Sequence, residues 1–196
     1  MSPETHLLAS WLIAVKTTDN PRDCRLVTLA GILPDADGLG LIPDLINGAL
    51  DRPVNCYYAE YHHWLLHGIF GAVVIAATLT CFAKHRGRVA LLALLLIHLH
   101  LLCDLLGSRG PSPSDLWPVY YLGPFSRHWM VEWSGQWRLD GWQNRVITVA
   151  LFGWTLWIAA TRGESVVGVF SRRADKVFCG VMQKWRNALA LPRNKP

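Results

Sequence analysis

Polar and apolar positions divide the 196-residue chain into a few apolar runs joined by short polar links. Ser2-Pro3-Glu4 opens the first, with Ser2 placed as N-cap and Pro3 at the first helical position, and Leu7 to Val15 continues it as a helix. Asn20-Pro21 marks a turn within Thr17 to Asp23. A second helix is predicted from Arg25 to Leu33, because Pro34 cannot continue one and biases the residue before it away from helical geometry. Asp35 and Asp37 are therefore expected in a loop.

Trp64 to Ala83 are twenty consecutive positions without Lys, Arg, Asp or Glu, and Val89 to Cys103 is an equally uncharged, leucine-rich run. Both lengths suit spanning or deeply buried helices. Only Lys84-His85-Arg86-Gly87-Arg88 separates them, which predicts an antiparallel helix hairpin. Gly107 to Arg145 is rich in Pro, Gly, Ser and Trp and reads as irregular, with aromatic residues suited to a membrane interface. Val146 to Ala160 is a further apolar helix. The expected fold is thus all-α: a membrane-associated helical bundle around the hairpin, one domain over residues 1–161, then a basic tail over 162–196.

Composition moves this bundle toward lipid. Charged residues are only 17% of the chain, hydrophobic residues reach 52%, and there are ten tryptophans, against a usual charged share of about 25%. The net charge of +5 does not imply nucleic-acid binding, because eight of the nineteen Lys and Arg follow residue 161. That tail suits water or anionic lipid. Five scattered cysteines signal neither a disulfide framework nor a CxxC zinc site. Met1 to Val15 lacks the basic start of a cleavable signal peptide. Basic residues in the 84–88 link and in the tail predict that both face the cytoplasm of a multi-pass inner-membrane protein. The first sixty residues carry apolar runs too short to span, at about 20 residues per helix.

Chemistry enters with the histidines. His63 and His67 are four apart, and so are His100 and Asp104, which on helices puts each pair on one face. Counted from Arg86, His67 lies nineteen residues back and Asp104 eighteen forward, so the two pairs reach nearly the same height in the hairpin. An aspartate inside an apolar helix is costly unless it is paired or bound to a cation. Leu33-Pro34-Asp35-Ala36-Asp37-Gly38 offers two more carboxylates, also compatible with an ordinary Asx turn. An EF-hand is excluded, since Ile46 stands where its closing Glu would be. His6 is a further candidate, His62 is ambiguous, and His85 and His98 read as structural. A metal set of His6, Asp35, Asp37, His62, His63, His67, His100 and Asp104 is too large for one tetrahedral ion and suggests two. Imidazole and carboxylate donors suit zinc first, then manganese or iron. A hydrogen-bonded His–Asp network without metal is the plainer alternative.

At these residues the sequence resembles the membrane-bound metal-dependent hydrolases described as LexA-binding and inner-membrane-associated. The matching pieces are Thr5-His6, Pro34-Asp35-Ala36-Asp37, the His-rich stretch, His100-xxx-Asp104, Trp117-Pro118-Val119-Tyr120 and Gly123-Pro124-Phe125-Ser126. Where that family reads like HRGxTHS, Tyr61-His62-His63-Trp64-Leu65-Leu66-His67-Gly68 keeps the first and last histidines but lacks the Arg and Thr-His-Ser. The resemblance therefore favours His62 with His67, whereas helical spacing favours His63 with His67. More remotely the family is similar to zinc-dependent phospholipase C, which implies phosphoester chemistry by fold analogy alone.

The expected function is hydrolysis of an ester or phosphoester, from a small molecule or a membrane lipid, by a metal-activated water. Asp35 or Asp37 is the candidate base, and Arg109, Arg127 and His128 are candidates for binding an anionic substrate group. The alternative is a non-catalytic membrane binding or regulatory protein, with a protein partner and a structural metal. A small transporter with an intramembrane His/Asp relay fits less well, because the ligands gather at one end.

Overall fold

The computed structural model describes residues 1–190, and these are predominantly helical. Helix α1 (Pro3–Thr17) begins with Pro3 as expected. Helix α2 (Pro21–Ala30) starts earlier than the sequence implies, because Asn20 caps it by accepting from the amides of Arg22 and Asp23. Asp35 and Asp37 lie in a 3₁₀ helix (Leu33–Gly40) rather than an irregular loop. The short helices α3 (Leu41–Ala49) and α4 (Tyr57–Tyr61) follow.

The hairpin is present as α5 (Ile69–Cys81) and α6 (Arg86–Gly107). Its first arm is shorter than expected: the apolar run from Trp64 does not become helical until Ile69. Gly68 stands just before it as N-cap, and only glycine fits there, since a Cβ would come within 2.7 Å of the Tyr121 carbonyl and 2.9 Å of that of Tyr120. The same Tyr121 carbonyl accepts the Ile69 N–H at 2.8 Å, so the irregular segment abuts the beginning of α5. Thirteen residues rise only about 20 Å, less than the roughly 30 Å of bilayer hydrocarbon. Among the described residues, α6 alone is long and apolar enough to cross a membrane by itself; α2 with residues 33–49 reaches that length only as a pair bent by 49°.

Residues 108–141 are largely irregular, with one two-stranded antiparallel ribbon, Val119–Tyr120 against Met130–Val131. Helix α7 (Trp142–Arg162) then runs back along the bundle. The expected basic tail is folded as far as it is described: a 3₁₀ turn (Val166–Val169) leads to α8 (Arg172–Ala190). Arg193 and Lys195 of the tail lie outside the described residues.

Small side chains let the hairpin close. Ala72, Ile75, Ala76 and Leu79 of α5 meet Ala93 and Ile97 of α6 around Ala30, and alanines at a helix interface allow close backbone approach. Ala14, Val27, Val89 and Leu96 join α1 and α2 to α6, and Trp11, Leu12 and Ile158 attach α7. Outward-facing Phe70, Val73, Leu91, Leu95, Val149 and Phe152 are exposed, an apolar girdle that suits lipid.

These helices give the bundle two distinct ends. At one, the α1–α2 turn, the α5–α6 turn and the α7–α8 link meet: Asp23 accepts from the amides of Lys84 and His85, Arg88 pairs with Asp19, and Arg25 reaches the Gly168 carbonyl. At the other lie the start of α1, the end of α2, the approach to α5 and the end of α6. Eighteen residues of α6 separate Arg86 from Asp104, about 27 Å of helix.

Candidate metal centre

Three elements send four donors to the second end. Asp35 comes from the 3₁₀ helix, His67 from the turn before α5, and His100 and Asp104 from successive turns of α6. One ligand atom from each lies within 4.8 Å of all the others. His67 Nε2 and His100 Nε2 are 3.2 Å apart. Asp104 Oδ2 is 3.1 Å from His100 Nε2 and 3.6 Å from His67 Nε2; Asp35 Oδ1 is 3.5 and 3.7 Å from the same two nitrogens.

The far side of each imidazole fixes what faces inward. His100 donates its Nδ1–H to the Gly31 carbonyl at 2.8 Å. His67 donates its Nδ1–H to Asp37 Oδ2 at 3.0 Å. With Nδ1 committed as donor, a neutral imidazole presents a bare Nε2, so two lone pairs converge with two carboxylates. Asp35 Oδ2 and Asp104 Oδ2 are buried and make no hydrogen bond. Such a set is unstable without positive charge at its middle. His67 reflects that demand: burial opposes its charging, but the carboxylates of Asp35 and Asp37 and the charge of Asp104 outweigh it and push it up to about 9. A proton or a metal cation can meet the need, and the donor set fits the cation.

Around this centre the remaining candidates separate. Asp37 is at its edge, with both oxygens already used: Oδ1 accepts from His62 Nδ1 at 2.9 Å, and Oδ2 from His67 and from the Leu66 amide. His6 lies over His100, ring centroids 3.8 Å apart, and donates to Asp104 Oδ1 at 3.1 Å. Ser108 and the amino group of Met1 also contact Asp104 Oδ1. That oxygen is saturated while its partner Oδ2 is free.

The helical pairing of His63 with His67 does not hold, because neither residue is in a helix. The chain leaves α4 at His62, and His63 adopts a left-handed backbone, φ 66°, uncommon outside glycine but tolerated by histidine. The turn nevertheless stacks His63 on His67, ring centroids 4.3 Å apart, and His62, His63 and His67 form a second group of metal-ligand spacing. Burial and the neighbouring His67 charge hold His63 well below the usual histidine range. Turn geometry rather than helical period thus brings both His62 and His63 beside His67.

Of the expected anion-binding residues, Arg109 has a buried Nε that no hydrogen bond meets. The Arg127 guanidinium sits over the Trp64 ring at 4.3 Å, His128 is exposed, and the Arg109 backbone pairs with Trp137 and Leu139. None of these contacts reaches the cluster. His98 is structural as expected, donating to the Leu94 carbonyl and meeting the Tyr121 hydroxyl. His85 binds Asp23 at the opposite end.

Gly31 and Gln136 carry no signal in the sequence, and Trp117 enters there only as part of Trp117-Pro118-Val119-Tyr120. Gly31 presents the carbonyl that orients His100, and a Cβ on it would overlap the Ser10 side chain, so only glycine lets α1 and α2 approach there. Trp117 lies edge-on to His63, centroids 4.5 Å apart. Buried Gln136 holds this segment in place, donating to the Asp104 and Trp117 carbonyls and accepting from the Trp117 amide.

A family model described as YdjM inner membrane protein matches residues 1–185. No curated protein and no solved structure matches the chain.

Proposed function

We propose, from the premise that the chain belongs to the YdjM inner membrane protein family, that it is a metal-dependent hydrolase acting on an ester or phosphoester at the membrane. Asp35, His67, His100 and Asp104 would hold the ion, zinc before manganese or iron. The observation that carries this reading is the convergence of two imidazole Nε2 atoms, both oriented from behind, on two carboxylates with unpaired oxygens.

A divalent cation held there would acidify a water and polarise a substrate oxygen. The chain's own residues divide the remaining work. Asp35 is the better base of the two loop carboxylates, because its Oδ2 makes no hydrogen bond, whereas Asp37 spends both oxygens orienting His62 and His67. Its side chain is also the most open of the four, at 19% exposure against 4% or less for the others. A second ion at His62, His63 and His67 would require His67 to give up Nδ1 from Asp37.

Exposed Ile42, Leu45 and Ile46 on α3 follow directly on the Asp35–Asp37 segment and favour a lipid-derived substrate over a soluble one. The positive-inside rule puts the Lys84–Arg88 end, with the C-terminal segment, in the cytoplasm and the metal centre at the opposite face. The phosphoester preference rests on the hydrolase likeness and on the remoter one to zinc-dependent phospholipase C.

A second reading has an observation of its own. Four protein donors, three of them almost fully buried, would fill all four positions around one zinc, as closed structural zinc sites do. The chain would then be a binding or regulatory membrane protein. Elemental analysis of purified wild type, Asp104→Ala and Asp35→Ala, with a screen of phosphoester and lipid-ester hydrolysis, tests both readings. Stoichiometric metal lost in both variants, with hydrolysis lost alongside, supports the hydrolase. Unchanged metal content in both would remove the centre. Metal-loaded wild type that hydrolyses nothing, and whose X-ray absorption shows no water ligand, would favour the structural reading.

A further inference from the structure

Helix α8 is built for a different surface from the rest of the bundle. One side faces inward: Cys179 is buried, and Asp175 accepts from the Ser165 amide and hydroxyl, pinning the helix to the link after α7. Another side carries Val177, Val181, Trp185 and Leu189 at four-residue intervals, which at 3.6 residues per turn form a single stripe. Their exposures are 66%, 41%, 63% and 87%. Arg173, Lys176, Lys184 and Arg186 flank the stripe, and the helix's one acidic residue, Asp175, is the inward-pinned one.

Each simpler account fails on one of these features. A helix crossing hydrocarbon would not carry four flanking cations, and a water-solvated helix would not expose tryptophan, leucine and two valines in a row. Uniformly basic flanks with no outward acid match an anionic surface rather than a partner protein. An apolar recess of about 650 Å³ lies between Val167, Ala174, Val177, Phe178 and Val181, with Arg173 at its rim. It offers room for hydrocarbon beside a cation.

We infer that α8 lies in the plane of the membrane at the basic end of the bundle, with its valine–tryptophan–leucine stripe in the acyl boundary and its arginines and lysines on anionic headgroups. The link from α7 and the Asp175–Ser165 contacts set its angle. This stands apart from the metal centre, which lies at the other end.

The test uses the full chain in nanodiscs of phosphatidylcholine, with or without phosphatidylglycerol. Spin labels go on a cysteine-free background at Val181, Leu189, Lys176 and Lys184. Labels on the stripe should be several-fold more accessible to oxygen than to a nickel chelate, and labels at the lysines the reverse. The contrast should weaken in neutral discs and with K176E/K184E. Nickel reaching the stripe as readily as the lysines would overturn the inference, and so would a stripe closed to both reagents, which means protein covers it. An identical contrast in neutral discs would overturn the anionic part. If the cysteine-free chain does not fold, quenching by brominated phosphatidylglycerol in the native chain should fall on Trp185→Phe, and no change would sink the proposal.

Discussion

Two aspartates are buried at opposite ends of the bundle, and they are held in opposite ways. Asp23, 1% exposed, accepts from the Lys84 amide, the His85 amide and the His85 ring, so both its oxygens are saturated by the hairpin turn. Asp104, 3% exposed, is saturated on Oδ1 but leaves Oδ2 with only imidazole nitrogens before it. Burial alone therefore says little about role. A carboxylate whose bonds are all made is holding structure, whereas one aimed at other lone pairs can take a cation. The same contrast recurs two residues apart, in saturated Asp37 and half-free Asp35.

The largest effect that would break the comparison comes from exchanging each aspartate for its neutral amide. Asp104→Asn should lose most of the bound metal, measured by elemental analysis, with roughly 3–5 kcal/mol of stability lost as well, because buried cationic partners are left unpaired. Asp23→Asn should lose about 1–3 kcal/mol of stability through its hydrogen bonds to the turn, and keep its metal. Metal loss in Asp23→Asn would abolish the distinction.

Asp37 sharpens it. As an orienting residue rather than a ligand, Asp37→Asn should weaken metal affinity by about 10–100-fold without emptying the site at saturating zinc. Chelation adds a pH signature. Without metal, His67 is raised from 6.5 to about 9, so its proton stabilises the fold fully below 6.5 and that contribution is lost as the pH rises through about 9. Thermal melts of chelated protein should fall over that interval while zinc-loaded protein holds steady. Parallel curves would mean that no cation competes with the proton.

The hairpin was legible because its logic is one-dimensional. Uncharged length predicts α5 and α6, and nearly equal counts from Arg86 bring His67 level with Asp104. What was not legible depends on chain segments far apart in sequence. The Tyr120 and Tyr121 carbonyls pack against Gly68 at the start of α5, and no local pattern around Trp64 announces that. His62 and His63 were competing candidates under a helical period, and the left-handed turn at His63 admits both. Likewise the stacking of Arg127 on Trp64 depends on the folding of the irregular segment.

Gly31 is the next smaller lever. A Cβ there would overlap Ser10, so Gly31→Ala should cost about 1–3 kcal/mol by overpacking and shift the carbonyl that orients His100. Replacing Ser10 by Gly should recover stability in the double variant, measured by thermal melts. If metal affinity recovers too, the carbonyl acts through position alone.

The smallest effect is at the basic end, where Arg88 meets Asp19 at 3.3 Å with side-chain exposures of 51% and 96%. Exposed pairs of this kind contribute about 0–1 kcal/mol, and salt screens them further. Arg88→Ala should therefore leave both the melting temperature and the metal content close to wild type. Its value lies in the contrast with Asp104: both residues sit on α6, joined by the same rigid helix. If loss of a solvated cation about 24 Å away along that helix changed zinc affinity, the two ends would be coupled and could not be assigned separate tasks. An unchanged zinc titration, alongside reduced basic-end orientation in the membrane when Lys84, Arg86 and Arg88 are neutralised together, would keep charge at one end responsible for placement and charge at the other for chemistry.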